Sequence, residues 1–370
     1  MTEVPFVDLA AAHAEVERQV RAGFDRVMAK GAYVQGPDVA EFEREYAHFS
    51  GTTHCVGLGN GTDALELALR ALFHEQGGEF HEQGAGMDVV LPANTFVATA
   101  EAVVRAGARP VLVDVDPDDL LIDQDLAAAA TGPSTGAIIP VHLYGRLAPM
   151  DRLLELGPPV LEDAAQSQGA VRDGQGLVGA IAATSFYPGK NLGAYGDAGA
   201  ITTGSDELAR TIRLMRDHGS ERKYHHEIVG FNSRLDTLQA VVLRAKLRRL
   251  DGWNDQRRVA AARYAELLAG IPGLVLPRPA AGEHVWHLYV IRVPQRDEVA
   301  ARLGELGVRV GIHYPVPVHL QPAFRHLGHG PGDFPVAEAA AEQILSLPMF
   351  PQITAEQQQR VADALRKILA

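Results

Sequence analysis

Residues 55–65 read CVGLGNGTDAL and decide the fold, because they join a short apolar run, a glycine-rich turn and the start of an apolar helix. Five further apolar segments have the length of strands, and helical patterns lie between several of them. The six predicted strands are Cys55–Leu58, Val89–Leu91, Val111–Val113, Ala137–Val141, Val160–Glu162 and Ala200–Thr202. Short strands that alternate with helices are typical of a mostly parallel sheet with helices on its faces. The sequence therefore predicts an α/β fold.

The two ends of the chain show patterns of a different kind. Ala10–Ala29 has helical spacing and predicts an N-terminal helical arm, and a long helix over Leu235–Leu268 predicts a connector to a second unit. Beyond Pro272 the predicted elements are a strand at Trp286–Val293, a helix at Arg296–Leu306, a strand at Val308–Ile312 and a closing helix from Thr354. We expect a large domain over residues 1–245 and a smaller α+β domain over residues 246–370, in keeping with a chain of this length.

The composition limits the possible functions. The 370 residues include 34 Lys and Arg against 46 Asp and Glu, a net charge of −12, so the overall basic balance typical of nucleic-acid binding is absent. Cys55 is the single cysteine, which excludes an intramolecular disulfide. Met1–Glu17 lacks the basic start and the continuous apolar segment of a signal peptide, and no later apolar run has the length of a membrane span. We expect a cytoplasmic protein that binds neither nucleic acid nor membrane.

A near-duplicate loop follows the helix that ends near Phe73. HEQGG at residues 74–78 returns as HEQGA at residues 81–85. Two His-Glu pairs are metal-ligand types, but the flanking glycines and the irregular spacing favour a surface loop. The sequence predicts no metal site.

Lys190 gives the strongest chemical signal. It lies in SFYPGKNLG, residues 185–193, and follows Asp163 of LEDAAQ, residues 161–166, by 27 residues. Of the five lysines, only Lys190 lies among glycines and small polar residues rather than on a charged helical face. A lysine amine forms a Schiff base with pyridoxal phosphate, and a carboxylate keeps the pyridine nitrogen protonated. The pair therefore indicates a pyridoxal-phosphate enzyme, although a lone lysine would be interpreted as an ordinary surface residue.

A phosphate-binding turn is predicted at Gly59–Asp63. The turn lies between a strand and a helix, where backbone amides at a helix start bind anions. Ser185, five residues before Lys190, can add a hydroxyl. A glycine-rich turn with Thr62 or Asp63 as a helix cap explains the same residues without a ligand.

The chain resembles, over nearly its whole length, the sugar aminotransferases of the DegT/DnrJ/EryC/StrS type, which are fold-type I pyridoxal-phosphate enzymes. The resemblance implies a large cofactor-binding domain with a mostly parallel seven-stranded sheet. Its motifs are VPFVDL at residues 4–9, GNGTDAL at 59–65, PANTF at 92–96, EDAAQ at 162–166, SFYPGKNLG at 185–193, GFNSRL at 230–235 and HYP at 313–315.

This resemblance implies roles around the cofactor. Lys190 would carry the Schiff base and then act as the base that moves the proton, and Asp163 would hold the ring nitrogen. Phe96 matches the residue that stacks on the ring, although core packing explains a phenylalanine equally well, and Gln166 matches the partner of the ring hydroxyl.

The resemblance also implies a homodimer. Gly61, Thr62 and Ser185 match the phosphate ligands, and Asn232 matches an asparagine that reaches the phosphate from the neighbouring subunit. The dimer would then be required for activity.

A finer resemblance concerns the branch that aminates C3 of nucleotide-linked 3-keto-6-deoxyhexoses. It is carried by KYHHE at residues 223–227 and IHYPVPVHLQ at residues 312–321. It implies a two-step amino transfer from L-glutamate, with thymidine diphosphate as the expected nucleotide, in amino-sugar biosynthesis. The residues expected near the sugar or its diphosphate are Tyr187, Lys223, His313, Tyr314 and His319, the last of which packing explains equally well.

Three alternatives stay open. A dehydratase of this fold would carry histidine in place of Lys190. A 4-keto-sugar or cyclitol aminotransferase would keep every cofactor residue, and a regulatory homologue would bind the cofactor without turnover. Ala198, which replaces a usual glycine, the longer loop at residues 74–86 and a short segment at residues 146–159 leave the loop shapes, and hence the substrate, open.

Overall fold

The structure is a computed structural model that describes residues 3–78, 84–279 and 282–369. Its strands are short and mostly buried. They are β1 His54–Leu58, β2 Asp88–Pro92, β3 Arg109–Val113, β4 Thr135–Ile138, β5 Leu161–Asp163, β6 Ile181–Ser185, β7 Gly199–Thr203, β8 Tyr289–Arg292 and β9 Ile344–Leu347.

Seven of these strands form one mostly parallel layer. The hydrogen-bonded groups β1-β7-β6-β5 and β3-β2-β4 are joined by parallel bridges from Ile138 to Val160 and from Val141 to Asp163. Strand β7 runs antiparallel to both β1 and β6, whereas the β2–β3, β2–β4 and β5–β6 pairs are parallel. This layer confirms the predicted fold class. Strand β6 was missing from the predicted strands, because Ile181–Ser185 reads IAATS and has little bulky apolar character.

The helices pack on the sheet and around the chain ends. They are α1 Leu9–Ala14, α2 Glu17–Lys30, α3 Pro37–Phe49, α4 Gly61–Glu75, α5 Val97–Arg105, α6 Gln124–Ala130, α7 Asp151–Glu155, α8 Asp206–Arg216, α9 Thr237–Leu268, α10 Arg296–Glu305, α11 Pro335–Gln343 and α12 Ala355–Leu369. The predicted arm Ala10–Ala29 is two helices, α1 and α2. In the described part of the chain, no helix is both long and apolar enough to cross a bilayer.

Helix α4, which begins in the predicted phosphate-binding turn, is largely buried. Nine of its residues are buried, including Leu67, Leu69 and Phe73, and it contacts strands β1, β4, β5, β6 and β7. Each fully buried leucine stabilises the fold by about 2 kcal/mol. Burial on several faces fixes the start of α4, and hence Gly61, at the edge of the sheet.

The C-terminal part differs from its prediction in two places. Strand β8 covers only Tyr289–Arg292 of the predicted Trp286–Val293 and pairs antiparallel with β9, which the sequence did not predict. Val308–Ile312 is not a continuous strand, because it makes only isolated bridges from Val308 to Val4 and from Gly311 to Ser346. The domain boundary at 245/246 falls inside α9 and stays a prediction.

The duplicated loop is described in part. His74, the first histidine of the repeat, lies in the last turn of α4, and its Nδ1 is 3.1 Å from the carbonyl oxygen of Gly78. His81, Glu82 and Gln83 lie outside the described residues.

Candidate active site

A cavity of about 770 Å³ opens where strands β2, β5 and β6 end. Carboxyl ends of parallel strands are the usual ligand edge of an open α/β sheet. Ten predicted site residues line this cavity: Gly61, Thr62, Phe96, Asp163, Gln166, Ser185, Tyr187, Lys190, His313 and Tyr314. The fold therefore brings together motifs that are separated by more than 250 residues in the sequence.

Lys190 and Asp163 provide the two titratable groups that the chemistry requires. Lys190 is partly open to the cavity, but protein surrounds its amine, and this burial lowers the pKa of the amine to about 8 even though the Asp163 carboxylate opposes the shift. Burial raises the pKa of the Asp163 carboxyl, while hydrogen bonds from Thr99 and Ala165 and the charge of Lys190 act against that rise. A lysine with a pKa near neutrality is available as a nucleophile and as a base.

The Asp163 carboxylate is held from two sides. Thr99 Oγ1 on α5 donates a hydrogen bond to Oδ2 at 2.8 Å, and the backbone amide of Ala165 donates to Oδ1 at 3.2 Å. Next to Asp163, Glu162 Oε2 lies 2.7 Å from His142 Nε2, and both side chains are buried. Because the amide of Ala148 donates to His142 Nδ1 at 3.0 Å, Nε2 carries the proton toward Glu162. These contacts fix the end of β5 and the direction of the Asp163 side chain.

The start of α4 forms a cradle with the end of β6. Asn60 Oδ1 accepts a hydrogen bond from the backbone amide of Asp63 at 2.8 Å and so caps the helix, while Gly61 and Thr62 face the cavity. A Cβ atom on Gly61 would lie 2.6 Å from Cβ of Ser185, so only glycine permits this approach of α4 to β6. The helix dipole and free amides at this end favour a phosphate group.

Aromatic side chains line another part of the cavity. Phe96 immediately precedes α5 and is 50% exposed, and its ring centroid lies 5.2 Å from that of Tyr314. Gln166 Nε2 donates to the Tyr314 hydroxyl at 3.2 Å, and Gln166 Oε1 accepts from the amide of Tyr144 at 2.6 Å. Phe96 is thus open to the cavity rather than buried in the core, which a flat ring ligand requires.

Two histidines enter the cavity from the C-terminal part of the chain. His313 Nδ1 lies 2.8 Å from Ser346 Oγ, and burial together with the charge of Lys190 lowers the pKa of His313 to about 4. His287, which the sequence did not indicate, also lines the cavity; burial and the charge of Lys190 lower its pKa well below the ordinary value. Both rings are therefore neutral near pH 7, so they are hydrogen-bonding groups there rather than cations.

Three predicted site residues lie away from the cavity of this single subunit. Lys223 and Asn232 are exposed, in the segment that follows α8. His319 is buried; its Nε2 lies 3.0 Å from Glu338 Oε1, and its ring centroid is 4.6 Å from that of Phe334. Packing accounts for these contacts of His319, whereas Lys223 and Asn232 are free to meet a second copy of the chain.

Two further residues were missed because their roles depend on the fold. Thr99 lies 64 positions from Asp163 in the sequence, and His287 lies 97 positions from Lys190. Each reaches the site from its own element, so no local spacing signals it. The apolar, aromatic pattern around His287 indicated only a strand.

The residues of the cavity fit pyridoxal phosphate. They provide an anion cradle at Gly61 that a Cβ would fill, a lysine amine with a lowered pKa and a held carboxylate, and an open aromatic face at Phe96. These groups match the phosphate, the aldehyde, the pyridine nitrogen and the ring of that cofactor.

Comparisons with known proteins agree with this geometry. The model of the DegT/DnrJ/EryC1/StrS aminotransferase family matches residues 15–366. A dTDP-3-amino-3,4,6-trideoxy-alpha-D-glucose transaminase from Streptomyces venezuelae is 45% identical over 371 residues, which cover 98% of this chain and 96% of the relative.

Solved structures are also similar over the full length. The crystal structure of S. venezuelae DesV in complex with a ketimine intermediate superposes with a TM-score of 0.95 at 45% identity and covers 100% of this chain and 99% of that chain. NtdA from Bacillus subtilis with bound cofactor PMP superposes with a TM-score of 0.91 at 32% identity and covers 100% of this chain and 86% of that chain.

Proposed function

The chain belongs to the DegT/DnrJ/EryC1/StrS aminotransferase family, and on that premise we propose that it transfers the amino group of L-glutamate to C3 of a nucleotide-linked 3-keto-6-deoxyhexose, with pyridoxal phosphate bound at Lys190. The observation that carries this proposal is the pairing of Lys190 and Asp163 in one cavity with the Gly61 cradle. The 45% identity to a dTDP-sugar 3-transaminase supports C3 as the site of amination.

Besides Lys190, Phe96 and Gln166, four residues of the same subunit would hold the cofactor. Gly61, Thr62 and Ser185 would bind the phosphate, and Asp163 would hold the proton on the ring nitrogen. When bound, the cofactor supplies an electron sink for the carbon that loses a proton. The ion pair with a protonated ring would compensate the burial of Asp163, which is costly without a cation.

Lys190 would move the proton in both halves of the reaction. Its pKa of about 8 leaves an appreciable fraction of the amine unprotonated near neutral pH, so the nitrogen can accept a proton from the donor carbon and return it to the neighbouring carbon. In the second half the same nitrogen would work in the reverse direction on the sugar carbon. Because the donated amino group would stay in the site between the two halves and both ketones would use the same cavity, the keto acid would leave before the sugar enters, which gives ping-pong kinetics.

A homodimer would complete the site. The segment from Gly219 to Asn232 contains Tyr224, which is 81% exposed, and Val229, which is 74% exposed, and Asn232 itself is exposed. Apolar side chains this exposed on one segment favour burial against another chain. We place Asn232 of the partner subunit at the phosphate and Lys223 of the partner subunit near the sugar diphosphate, where a cation and hydrogen-bond donor is needed.

The cytoplasm is part of the proposal. Cys55 is buried, and burial raises the pKa of its thiol well above the ordinary value. The thiol is therefore protected from reaction, and the fold does not need an oxidising compartment to form a disulfide.

A labelled transfer experiment tests the function. Purified protein with pyridoxal phosphate is given L-glutamate with isotopically labelled nitrogen and a dTDP-linked 3-keto-6-deoxyhexose, and the products are separated and analysed by mass spectrometry and NMR. We expect the label at C3 of the sugar. Parallel reactions contain the matched 4-keto sugar or a cyclitol ketone instead. Label transferred only to one of these two ketones would reject the C3 assignment, and no label transfer to any ketone would reject the proposed function.

A further inference from the structure

Lys246 is a buried cation that the reaction described above does not use. It lies in α9 with 5% exposure, and its Nζ donates a hydrogen bond to the carbonyl oxygen of Gly193 at 2.6 Å. The same nitrogen lies 4.7 Å from the ring centroid of Tyr195. Burial lowers the pKa of Lys246 to about 8, and no carboxylate among the described residues forms an ion pair with it.

The charged groups around Lys246 are engaged elsewhere. On α9 itself, Arg244 pairs with Asp38 and Glu45 of α3, and Arg249 pairs with Glu15. On the side of the N-terminal arm, the Tyr195 hydroxyl contacts His13 Nδ1, and burial together with the charge of Glu17 raises the pKa of Tyr195.

Burial of an amine without a counter-ion costs free energy, and an apolar side chain of the same volume would pack more cheaply. The role of Lys246 therefore depends on the polar contact that it makes.

That contact is with the turn that carries Lys190. The turn is closed by hydrogen bonds from the amide of Lys190 to the carbonyl of Tyr187 at 2.9 Å and from the amide of Ala194 to the carbonyl of Phe186 at 2.7 Å. Asn191 anchors its middle by donating to the carbonyl of Val285 at 3.0 Å. Two residues of α9 hold the C-terminal end: Lys246 through the Gly193 carbonyl, and Gln239, whose Oε1 accepts a hydrogen bond from the amide of Tyr195 at 2.8 Å.

We propose that Lys246 is a positioning residue, which fixes the Lys190 turn through the Gly193 carbonyl and so sets where the Lys190 amine meets the cofactor. The inference rests on the proposed function, because it assumes that Lys190 binds pyridoxal phosphate. It goes beyond that function by giving a residue of α9, outside the cavity, control over the reactive amine.

The test measures attachment of the cofactor rather than turnover. Apoprotein is mixed with pyridoxal phosphate, samples are reduced with borohydride at intervals, and peptide mass spectrometry gives the rate of modification at Lys190. We expect Lys246→Met to slow this rate about tenfold, since a displaced reacting group loses rate steeply. The same substitution should leave the melting temperature of the apoprotein unchanged or raised, because it removes an unpaired buried cation.

Two further variants make the result specific. Lys367→Met removes an exposed lysine on α12 and should match the wild type in both measurements. Lys246→Gln keeps a neutral donor toward Gly193 and should attach the cofactor faster than Lys246→Met, a comparison that decides the matter even if the Met variant is unstable.

The outcomes separate the two proposals. A wild-type rate in Lys246→Met, a Gln variant no faster than the Met variant, or rate losses in both variants that follow their losses in melting temperature would overturn the positioning role. Wild-type protein that is never modified at Lys190 would overturn the proposed function itself.

Discussion

The wall of the cavity around Asp163 and the segment from Gly219 to Asn232 carry equally clear sequence motifs. They differ in how many contacts their side chains make within one subunit. Asp163 is buried and accepts two hydrogen bonds within the chain, and the Lys190 amine is enclosed by protein. In the other region Lys223, Tyr224 and Asn232 are all exposed. A single chain thus completes the first region and leaves the second open.

The difference indicates that the two regions have different roles. Burial shifts the pKa values of Lys190 and Asp163, which the proton transfers require, so these groups need one rigid subunit around them. The exposed segment lies outside the cavity, and in the proposed dimer it would gain further contacts from a second copy of the chain. We therefore expect substitutions in the first region to affect the chemistry and substitutions in the second to affect binding and assembly.

The largest expected effect is at Lys190. Lys190→Ala removes both the attachment point and the base, so turnover should fall about 10⁴-fold or more in a steady-state assay with L-glutamate and keto sugar. Lys367→Ala, which removes an exposed lysine, is the matched control. Near-normal turnover in Lys190→Ala would show that the first region does not carry out the chemistry.

Asp163→Asn should have the next largest effect. The substitution keeps an acceptor for Thr99 but removes the charge that holds the ring proton, so turnover should fall about 10²-fold. Because the folded protein raises the pKa of this carboxyl, its contribution to stability is lost as the pH rises through that pKa, and the ionised form destabilises the apoprotein at neutral pH.

The same variant should therefore melt at a higher temperature than the wild type when both lack cofactor at neutral pH. Calorimetry of the two apoproteins measures this, and Asp151→Asn on the exposed surface of α7 serves as the control. A lower melting temperature in Asp163→Asn would show that the carboxylate is stabilising rather than strained.

Asn232→Ala should weaken cofactor binding about tenfold, the value of one hydrogen bond to a charged group. Mixing it with Lys190→Ala tests whether the site is shared between subunits. The assay uses a cofactor concentration too low to fill the Asn232→Ala site. In a shared site, random pairing then makes about half of the dimers mixed, each with one intact site, so activity should rise to about a quarter of the wild type. No recovery after subunit exchange would place Asn232 in the site of its own subunit.

The smallest expected effect is that of Lys223→Ala. Loss of one solvent-exposed charge near a diphosphate should raise KM for the nucleotide sugar about fivefold and leave the half-reaction with L-glutamate unchanged. Arg222→Ala, the adjacent exposed cation, is the matched control. An equal loss in the L-glutamate half-reaction would mean that the segment acts on the chemistry after all.

The sequence predicted the parts of the molecule that short motifs define. Asp163 follows an apolar strand and Lys190 lies in a glycine-bounded turn, so local pattern and chemistry agreed. The alternation of strands and helices predicted the α/β sheet for the same reason. Gly61 was predicted from its turn, but the close approach of Ser185 that requires glycine there became visible only in the structure.

The remaining features depend on contacts between distant segments. Strand β6 was missed because Ile181–Ser185 is rich in small residues, and its burial between β5 and β7 makes it a strand. Val308–Ile312 has strand-like composition but pairs at only two positions. Thr99, His287 and Lys246 have ordinary surroundings in the sequence, and the fold alone brings them to Asp163, to the cavity and to the Lys190 turn.

The most direct test is the visible absorption spectrum of the purified protein with pyridoxal phosphate, recorded before and after L-glutamate is added without any sugar. We expect a yellow band that depends on Lys190 and that is lost as the cofactor is converted to its amine form. Release of one equivalent of keto acid should accompany the loss. A yellow band that persists with L-glutamate would contradict L-glutamate as the donor, and persistence with every amino acid tried would contradict transamination by this chain.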